Sequence, residues 1–277
     1  MRPWLGRIVL NREAAAGAAP SPGGGASEVA EGLQRAMLGV IGTFTRPDGA
    51  LDYGALRASP EWTAAAAHAG RLTAVRPESL ERRDARLAFW INVYNAMVFH
   101  AVVGLDVKRS VREVRGFFRR VAYRVGGHVV TADDVEHGIL RDNARHGLLR
   151  RRPFGLGDPR RALAVRPADP RIHFAITCGA QSCPPIGVYR ASAIETQLEL
   201  AARNFLNQEV AVDARGCVTC SRILHWYAED FAAAGGLGPL LSRYLDAGPV
   251  RAAVEHRARP CDAYRVYDWA LQHRPAE

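Results

Sequence analysis

The sequence has very little lysine, which affects how its charge is interpreted. Lys108 is the only lysine among 37 basic residues, and arginine and alanine are abundant, as expected when a GC-rich genome favours their codons. The formal net charge of +9 and the pI of about 9.8 would ordinarily indicate an anionic partner such as nucleic acid. Because codon bias produces such charge without selection for binding, and no nucleic-acid-binding module is recognisable, we do not expect a nucleic-acid partner.

Cysteines are few, and long hydrophobic runs are missing. The five cysteines are an odd number in a chain of 277 residues, which is long enough to bury a core without covalent cross-links. This number disfavours a secreted disulfide framework and predicts reduced thiols. The N-terminus lacks the apolar core of a signal peptide, and polar residues interrupt the apolar stretches well short of the roughly 20 residues that span a bilayer. We therefore predict a cytoplasmic protein with no transmembrane segment.

Internal repeats are also absent at periods of about 20 to 50 residues, which argues against a solenoid. Residues 13–26 are almost wholly Ala, Gly, Ser and Pro, a composition that cannot bury enough apolar surface to offset chain entropy. We predict a disordered leader or linker over residues 1–26 and a single globular domain over residues 27–277. The oligomeric state is open.

One helix dominates the hydrophobic pattern. In residues 84–103, apolar side chains such as Leu87, Trp90 and Tyr94 recur at steps of three and four, and further apolar residues occupy the flanks. This pattern predicts a central helix that is enclosed on most sides. The expected fold class is α+β: a single, mainly helical domain in which short strands and hairpins pack on this helix.

Local signals predict the other elements. Capping residues and proline indicate helices that start at Ser27, near Ser59 and after Thr131. Tight turns built on glycine indicate hairpins. The remaining predictions are short helical structure at 110–118, hairpins at 121–131 and 210–220, a strand at 171–177 and an amphipathic helix at 191–208.

Several ordered blocks resemble the domain of unknown function 547 family. They are residues 89–96 (FWINVYNA), 135–141 (VEHGILR), 169–184 (DPRIHFAITCGAQSCP), 226–231 (WYAEDF) and 266–271 (VYDWAL). The likeness covers roughly residues 50–272, although family members often carry Asn where this chain has Gln272. The resemblance implies no particular reaction, because the family is defined by sequence alone.

A thiol-based reaction centre is one hypothesis. Cys178 follows the predicted strand at the start of a glycine-rich turn, where a substrate could reach a thiol, and a thiol nucleophile needs a base and a group that orients the base. Because side chains alternate along a strand, His173 would face away from Cys178. His137 is therefore the candidate base, with Asn95 or Asn92 as the orienting group. The alternative is that Cys178 is a small buried hydrophobe and that both amides satisfy backbone groups.

A polar cluster for an anionic ligand is the other hypothesis. Glu136, His137 and Arg141 lie on one helical face or beside it, and Arg171 would add a second guanidinium, with His173 as a further ligand-binding residue. A surface network of ion pairs is the alternative. We favour a binding or structural module for a small anionic ligand or a protein partner over a thiol-dependent hydrolase or acyl transferase.

The sequence predicts no metal site and no cofactor. His137, His173, Cys178 and Cys183 are suitable zinc ligands, but they lack the short Cys-x2-Cys spacing of structural sites. Cys217 and Cys220 have that spacing, but in a strand they would face opposite ways. Cys178 and Cys183 could instead form a reversible disulfide if their Cα atoms lie within about 7 Å.

Overall fold

A computed structural model describes residues 6–11, 25–47, 51–145, 151–255, 257 and 259–272. It confirms the expected class, a mainly helical α+β fold with short strands in small sheets. By contacts the chain groups into two compact units. The first comprises Met1–Ala168, Ile176–Ile194 and Trp269–Glu277, and the second Asp169–Ala175 and Glu195–Asp268. That residues 27–277 are one domain stays a prediction.

The first unit contains five α-helices, a π-helix and one three-stranded sheet among its described residues. The α-helices are α1 (Ala26–Phe44), α2 (Tyr53–Ala58), α3 (Pro60–Gly70), α4 (Arg83–Gly104) and α5 (Phe117–Arg120), and the π-helix is Asp134–Leu140. Short 3-10 helices are Arg71–Ala74, Pro77–Ser79, Val111–Glu113 and Pro159–Leu163. The strands are β1 (Ile8–Val9), β2 (Val121–Val125) and β3 (His128–Thr131), in the order β1-β2-β3.

The second unit contains a second three-stranded sheet, with strand order β4-β5-β6. Its strands are β4 (Ala211–Val212), β5 (Val218–Cys220) and β6 (Ala263–Tyr264). Its helices are the 3-10 helix Pro170–Phe174 and the α-helices α6 (Ile194–Glu209), α7 (Arg222–Trp226), α8 (Ala228–Ala233), α9 (Leu237–Tyr244) and α10 (Pro249–Val254).

The predicted central helix is confirmed as α4. Every residue from Leu87 to Val103 is buried, including both aromatic residues of the predicted apolar face. By length and composition α4 could cross a membrane, but 94% of its apolar window is buried inside the protein. Its hydrophobicity is therefore that of a core helix.

Two predicted helix starts are confirmed, with one shift. The Ser59 hydroxyl accepts a hydrogen bond from the Trp62 N–H at 3.0 Å, and Pro60 occupies the first turn of α3, as the pattern predicts. Helix α1 begins at Ala26, so Ser27 lies inside its first turn and is not the cap.

The first sheet contains the predicted hairpin and one strand that was not predicted. Strands β2 and β3 pair antiparallel across Gly126 and Gly127, and Gly126 has the positive φ of +55° that this turn requires. Strand β1 pairs parallel with β2, and the amide of Asn11 bonds to the backbone carbonyls of Ala69 and Arg124. The leader prediction is therefore wrong for residues 6–11, while 1–5 and 12–24 lie outside the described residues.

The predicted helix after Thr131 starts as expected and then continues as a π-helix. The Thr131 hydroxyl accepts from the Asp134 N–H at 3.1 Å, and the Asp134 carboxylate accepts from the Thr131 N–H at 3.0 Å. The Arg141 N–H then donates to the Glu136 carbonyl at 3.0 Å, a spacing of five residues. This spacing defines a π-helix, a form that occurs often at functional sites.

The strand prediction for residues 171–177 is wrong, because residues 170–174 form a 3-10 helix. The Asp169 carboxylate accepts from the Arg171 N–H at 3.0 Å, and Pro170 fixes the first turn. The alternating Ile172, Phe174 and Ile176 imitate a strand pattern, but the Asp-Pro cap decides the local structure. The argument from strand faces that separated His173 from Cys178 therefore no longer applies.

The prediction of reduced thiols is also wrong for one pair, since Cys220 and Cys261 form a disulfide. The β4–β5 hairpin that carries Cys220 was predicted and is confirmed. Strand β6 pairs parallel with β5, placing Tyr264 beside Cys220 and so bringing the nearby Cys261 within bonding reach. The two cysteines are 41 residues apart, so local sequence could not reveal the pairing.

Candidate functional site

Four polar side chains meet between α4 and the π-helix: Tyr94, Glu136, His137 and Arg141, here called the π-helix cluster. The Tyr94 hydroxyl lies 3.1 Å from Glu136 Oε2, and Arg141 Nη1 lies 2.7 Å from His137 Nδ1. Glu136, His137 and Arg141 are each only 6% exposed. The spacing of four residues between His137 and Arg141 thus brings them together as predicted.

The contact between Arg141 and His137 fixes where the histidine carries its proton. A guanidinium can only donate, so His137 Nδ1 must accept in the 2.7 Å hydrogen bond. An imidazole nitrogen that accepts carries no proton, and the proton of the neutral ring therefore sits on Nε2. His137 consequently carries its N–H donor at Nε2.

A carboxyl group beside the cluster holds its proton near neutral pH. Burial above all, together with the negative charges of Glu136 and Asp134 and against the opposing charge of Arg119, raises the pKa of Asp133 from 3.8 to about 7. Asp133 therefore changes charge close to pH 7.

Both predicted amides bond to backbone groups. The Asn92 side chain donates to the Tyr189 carbonyl at 2.7 Å and accepts from the Tyr189 N–H at 2.9 Å. Asn95 Oδ1 accepts from the Thr177 N–H at 2.9 Å. These bonds pin a distant segment to α4, as the structural alternative expects, and Asn95 fixes the residue just before Cys178. That either amide orients His137 stays a prediction.

Cys178 lies in an irregular segment, not at the end of a strand, and is half-buried. Its Sγ lies 2.8 Å from Cys183 Sγ, and its backbone N–H donates to the same sulfur at 3.0 Å. The structure thus brings Cys178 to Cys183. The predicted pairing of Cys178 with His137 stays a prediction.

In the second unit Arg171 is bound by three carboxylates. Its guanidinium donates to Asp169 at 2.9 and 2.7 Å, to Glu195 at 2.6 Å and to Glu199 at 2.7 Å. The hydrogen bond to Asp169 is the largest of the effects that raise the pKa of Arg171. With Arg243 and Tyr244, which also bond to Glu199, these residues form the Arg171 cluster beside a cleft of about 410 Å³. Arg171 therefore serves as an internal counter-ion.

His173, predicted to bind ligand, forms a pair with Asp230. Nε2 of His173 lies 2.7 Å from the Asp230 carboxylate, and the ring stacks on Tyr227 at a centroid distance of 3.7 Å. The His173 side chain is 1% exposed. This packing holds the ring in one orientation inside the second unit.

Comparison with known families gives one result. Residues 77–206 match the model of the family described as "Protein of unknown function, DUF547". This segment, just under half of the chain, is similar to that family. The match confirms the predicted resemblance over this segment, which is narrower than the range of 50–272 expected from the sequence blocks. No curated protein and no solved structure matches the chain.

The matched segment contains all eight residues singled out from the sequence, but other polar groups around them were not predicted to act. The apolar pattern placed Tyr94 in the core as an aromatic residue, and Asp133 lies at the start of the helix predicted after Thr131. Asp230 lies outside the DUF547 match, in a block that the resemblance already marked. The hydroxyl of Tyr94 on an apolar face was a usable signal, since a buried hydroxyl requires a partner.

Proposed function

We propose that the segment matching DUF547 binds a small anionic ligand, a carboxylate or a phosphate group, at the π-helix cluster. The observation that carries the proposal is the hydrogen bond from Arg141 to His137 Nδ1. That bond makes Nε2 of His137 a donor and orients a guanidinium beside it. Donors of this kind, held in place before binding, suit the recognition of an oxyanion.

The charge balance of the cluster makes binding depend on pH. Glu136 already places a negative charge in the cluster, so an extra negative charge nearby would repel an anionic ligand. The pKa of Asp133 is about 7, and below that value the Asp133 carboxyl is neutral. We therefore expect affinity for the anion to fall as the pH rises through about 7.

The proposal is tested by thermal unfolding with inorganic phosphate and with acetate, each compared with sodium chloride at equal ionic strength. A ligand at 100 times its dissociation constant stabilises the folded chain by about 2.7 kcal/mol and raises Tm accordingly. His137→Phe keeps the ring shape and removes the donor, so this variant should lose the shift.

The matched control is Arg166→Gln, which removes a guanidinium that pairs with Asp142 and is 56% exposed. This variant should respond to the anions as the unchanged protein does. Circular dichroism should show that His137→Phe is folded, and the conservative Arg141→Lys should weaken the response in parallel. The proposal is wrong if neither anion raises Tm, or if His137→Phe retains the full shift.

The predicted alternative, a thiol-dependent hydrolase or acyl transferase, has less support. A general base for Cys178 must accept the thiol proton, and Nε2 of the neutral His137 ring already carries one. The thiol itself contacts Cys183 Sγ. An electrophilic thiol label that reacts with Cys178 much faster than with Cys217 would favour the alternative again.

A further inference from the structure

The contact between Cys178 and Cys183 has chemical consequences of its own. Their sulfur atoms are 2.8 Å apart, not far beyond the covalent S–S distance of about 2.0 Å. Both residues are partly exposed, so a reagent from solution can reach them. Once an oxidant removes two electrons and two protons from the thiols, a small rearrangement of either side chain would suffice to form a disulfide.

The backbone of the loop holds the two sulfur atoms in this arrangement. A turn closed by the Cys183 N–H on the Ala180 carbonyl, at 2.9 Å, brings the ends of the loop together, and Gly179 adopts a φ of +81°. The C-terminal segment supports the turn, since Ala180 forms a β-bridge with Leu271 and the Gln272 N–H donates to the Gly179 carbonyl at 2.9 Å. The approach of the two thiols is thus built into the main chain.

We propose that Cys178 and Cys183 are a redox-active dithiol that undergoes exchange with a small disulfide. The geometry assigns different roles to the two thiols. The Cys178 N–H donates to Cys183 Sγ at 3.0 Å, and a donated hydrogen bond favours negative charge on the accepting sulfur. Cys183 is therefore the attacking thiolate, and Cys178 is the resolving thiol.

The exchange balances in two steps. The Cys183 thiolate attacks one sulfur of the disulfide, whose S–S bond breaks and releases one thiolate that takes up a proton. Cys178 then loses its proton and attacks Cys183 Sγ in the mixed disulfide, expelling the second thiolate, which is also protonated. Two electrons pass from the dithiol to the small disulfide, which is reduced to two thiols.

The other cysteines provide internal references. Cys217 is a thiol that is also partly exposed, and Cys220 is already bonded to Cys261. Trypsin cuts after Arg171 and Arg190, so residues 172–190 carry Cys178 and Cys183 on one peptide, while Cys217 lies on another. Mass spectrometry can therefore read the two sites separately.

The unchanged protein is equilibrated in buffers that differ in the ratio of reduced to oxidised glutathione. It is then labelled with N-ethylmaleimide and digested with trypsin, and the masses of the peptides are measured. On oxidation, peptide 172–190 should take up neither label and be lighter than the unlabelled dithiol peptide by two hydrogen masses, while Cys217 retains its label. Cys178→Ser should accumulate a glutathione adduct on Cys183, and Cys183→Ser should form its adduct on Cys178 more slowly.

Two results would overturn the proposal. One is that Cys178 and Cys183 keep both labels at every glutathione ratio. The other is that adducts form equally fast in the two serine variants, which would remove the assigned order of attack. Because the readout involves neither phosphate nor His137, a failure here leaves the anion-binding proposal standing, and the reverse also holds.

Discussion

The π-helix cluster and the Arg171 cluster handle buried charge in opposite ways. Beside the first, burial and neighbouring carboxylates raise the pKa of Asp133 to about 7. In the second, burial also acts to raise the pKa of Glu199, but hydrogen bonds from Tyr244 and Arg171 and the charges of the arginines outweigh it, and the pKa ends below its ordinary value. Carboxyl groups thus have a raised pKa at Asp133, beside the first cluster, and a lowered pKa at Glu199, in the second.

This difference separates a cluster with a structural role from one beside a group whose charge changes with pH. Arg171 is committed to three carboxylates, and removing it would leave them facing one another. Arg141 instead donates to a neutral ring and sets the position of its proton. The comparison therefore predicts that Arg171 matters for stability and that Arg141 matters for recognition.

The largest expected effect is that of Arg171→Met on stability. Asp169 is 5% exposed, and breaking a buried ion pair by removal of one partner costs about 3 to 5 kcal/mol. Urea unfolding should show a loss of this size. Arg203→Met is the control, because Arg203 pairs with Asp246 at the surface, where loss of an exposed pair costs about 0 to 1 kcal/mol. Equal losses in the two variants would refute the structural role of Arg171.

A smaller effect is expected from Asp133→Asn, and it appears in the dependence of stability on pH. The folded chain keeps the Asp133 proton up to a pKa of about 7, whereas the unfolded chain loses it near 3.8. The folded state therefore binds more protons between these values, and the free energy of unfolding falls as the pH rises through this range. Each tenfold change in proton affinity is worth about 1.4 kcal/mol.

The asparagine variant should lack this fall, which chemical denaturation at several pH values will measure. Burial also lowers the pKa of His100 to about 4, so stability rises with pH from about 4 to 6.5 for that reason. That contribution is common to both proteins and cancels in their difference. An unchanged pH profile in Asp133→Asn, with the surface variant Asp246→Asn as control, would show that Asp133 is ionised throughout.

Short sequence patterns correctly predicted the elements that depend only on residues close together in the sequence. The apolar steps of α4, the Gly126 turn and the Thr131 cap all depend on residues close in sequence, and each is confirmed. Strands β1 and β6 are two residues long and exist only because distant strands pair with them, so no local pattern could show them.

The candidate site was predictable to the same extent. The four-residue spacing of His137 and Arg141 predicted their contact, since Arg141 directly follows the helical turn that carries His137. The bond from Tyr94 to Glu136 joins residues 42 positions apart and depends on how α4 and the π-helix pack. An alternating apolar pattern predicted a strand at residues 171–177, but the Asp-Pro cap at Asp169 favours the 3-10 helix that the structure contains.

The most direct test is to determine which ring nitrogen of His137 carries the proton, by nitrogen-15 NMR of protein labelled at histidine, with His137→Phe used to assign the signal. We predict a neutral ring with a directly bonded proton on Nε2 and none on Nδ1, and a mixture of the two forms in Arg141→Met. A proton on Nδ1 in the unchanged protein would contradict the account, because Arg141 would then have no acceptor there.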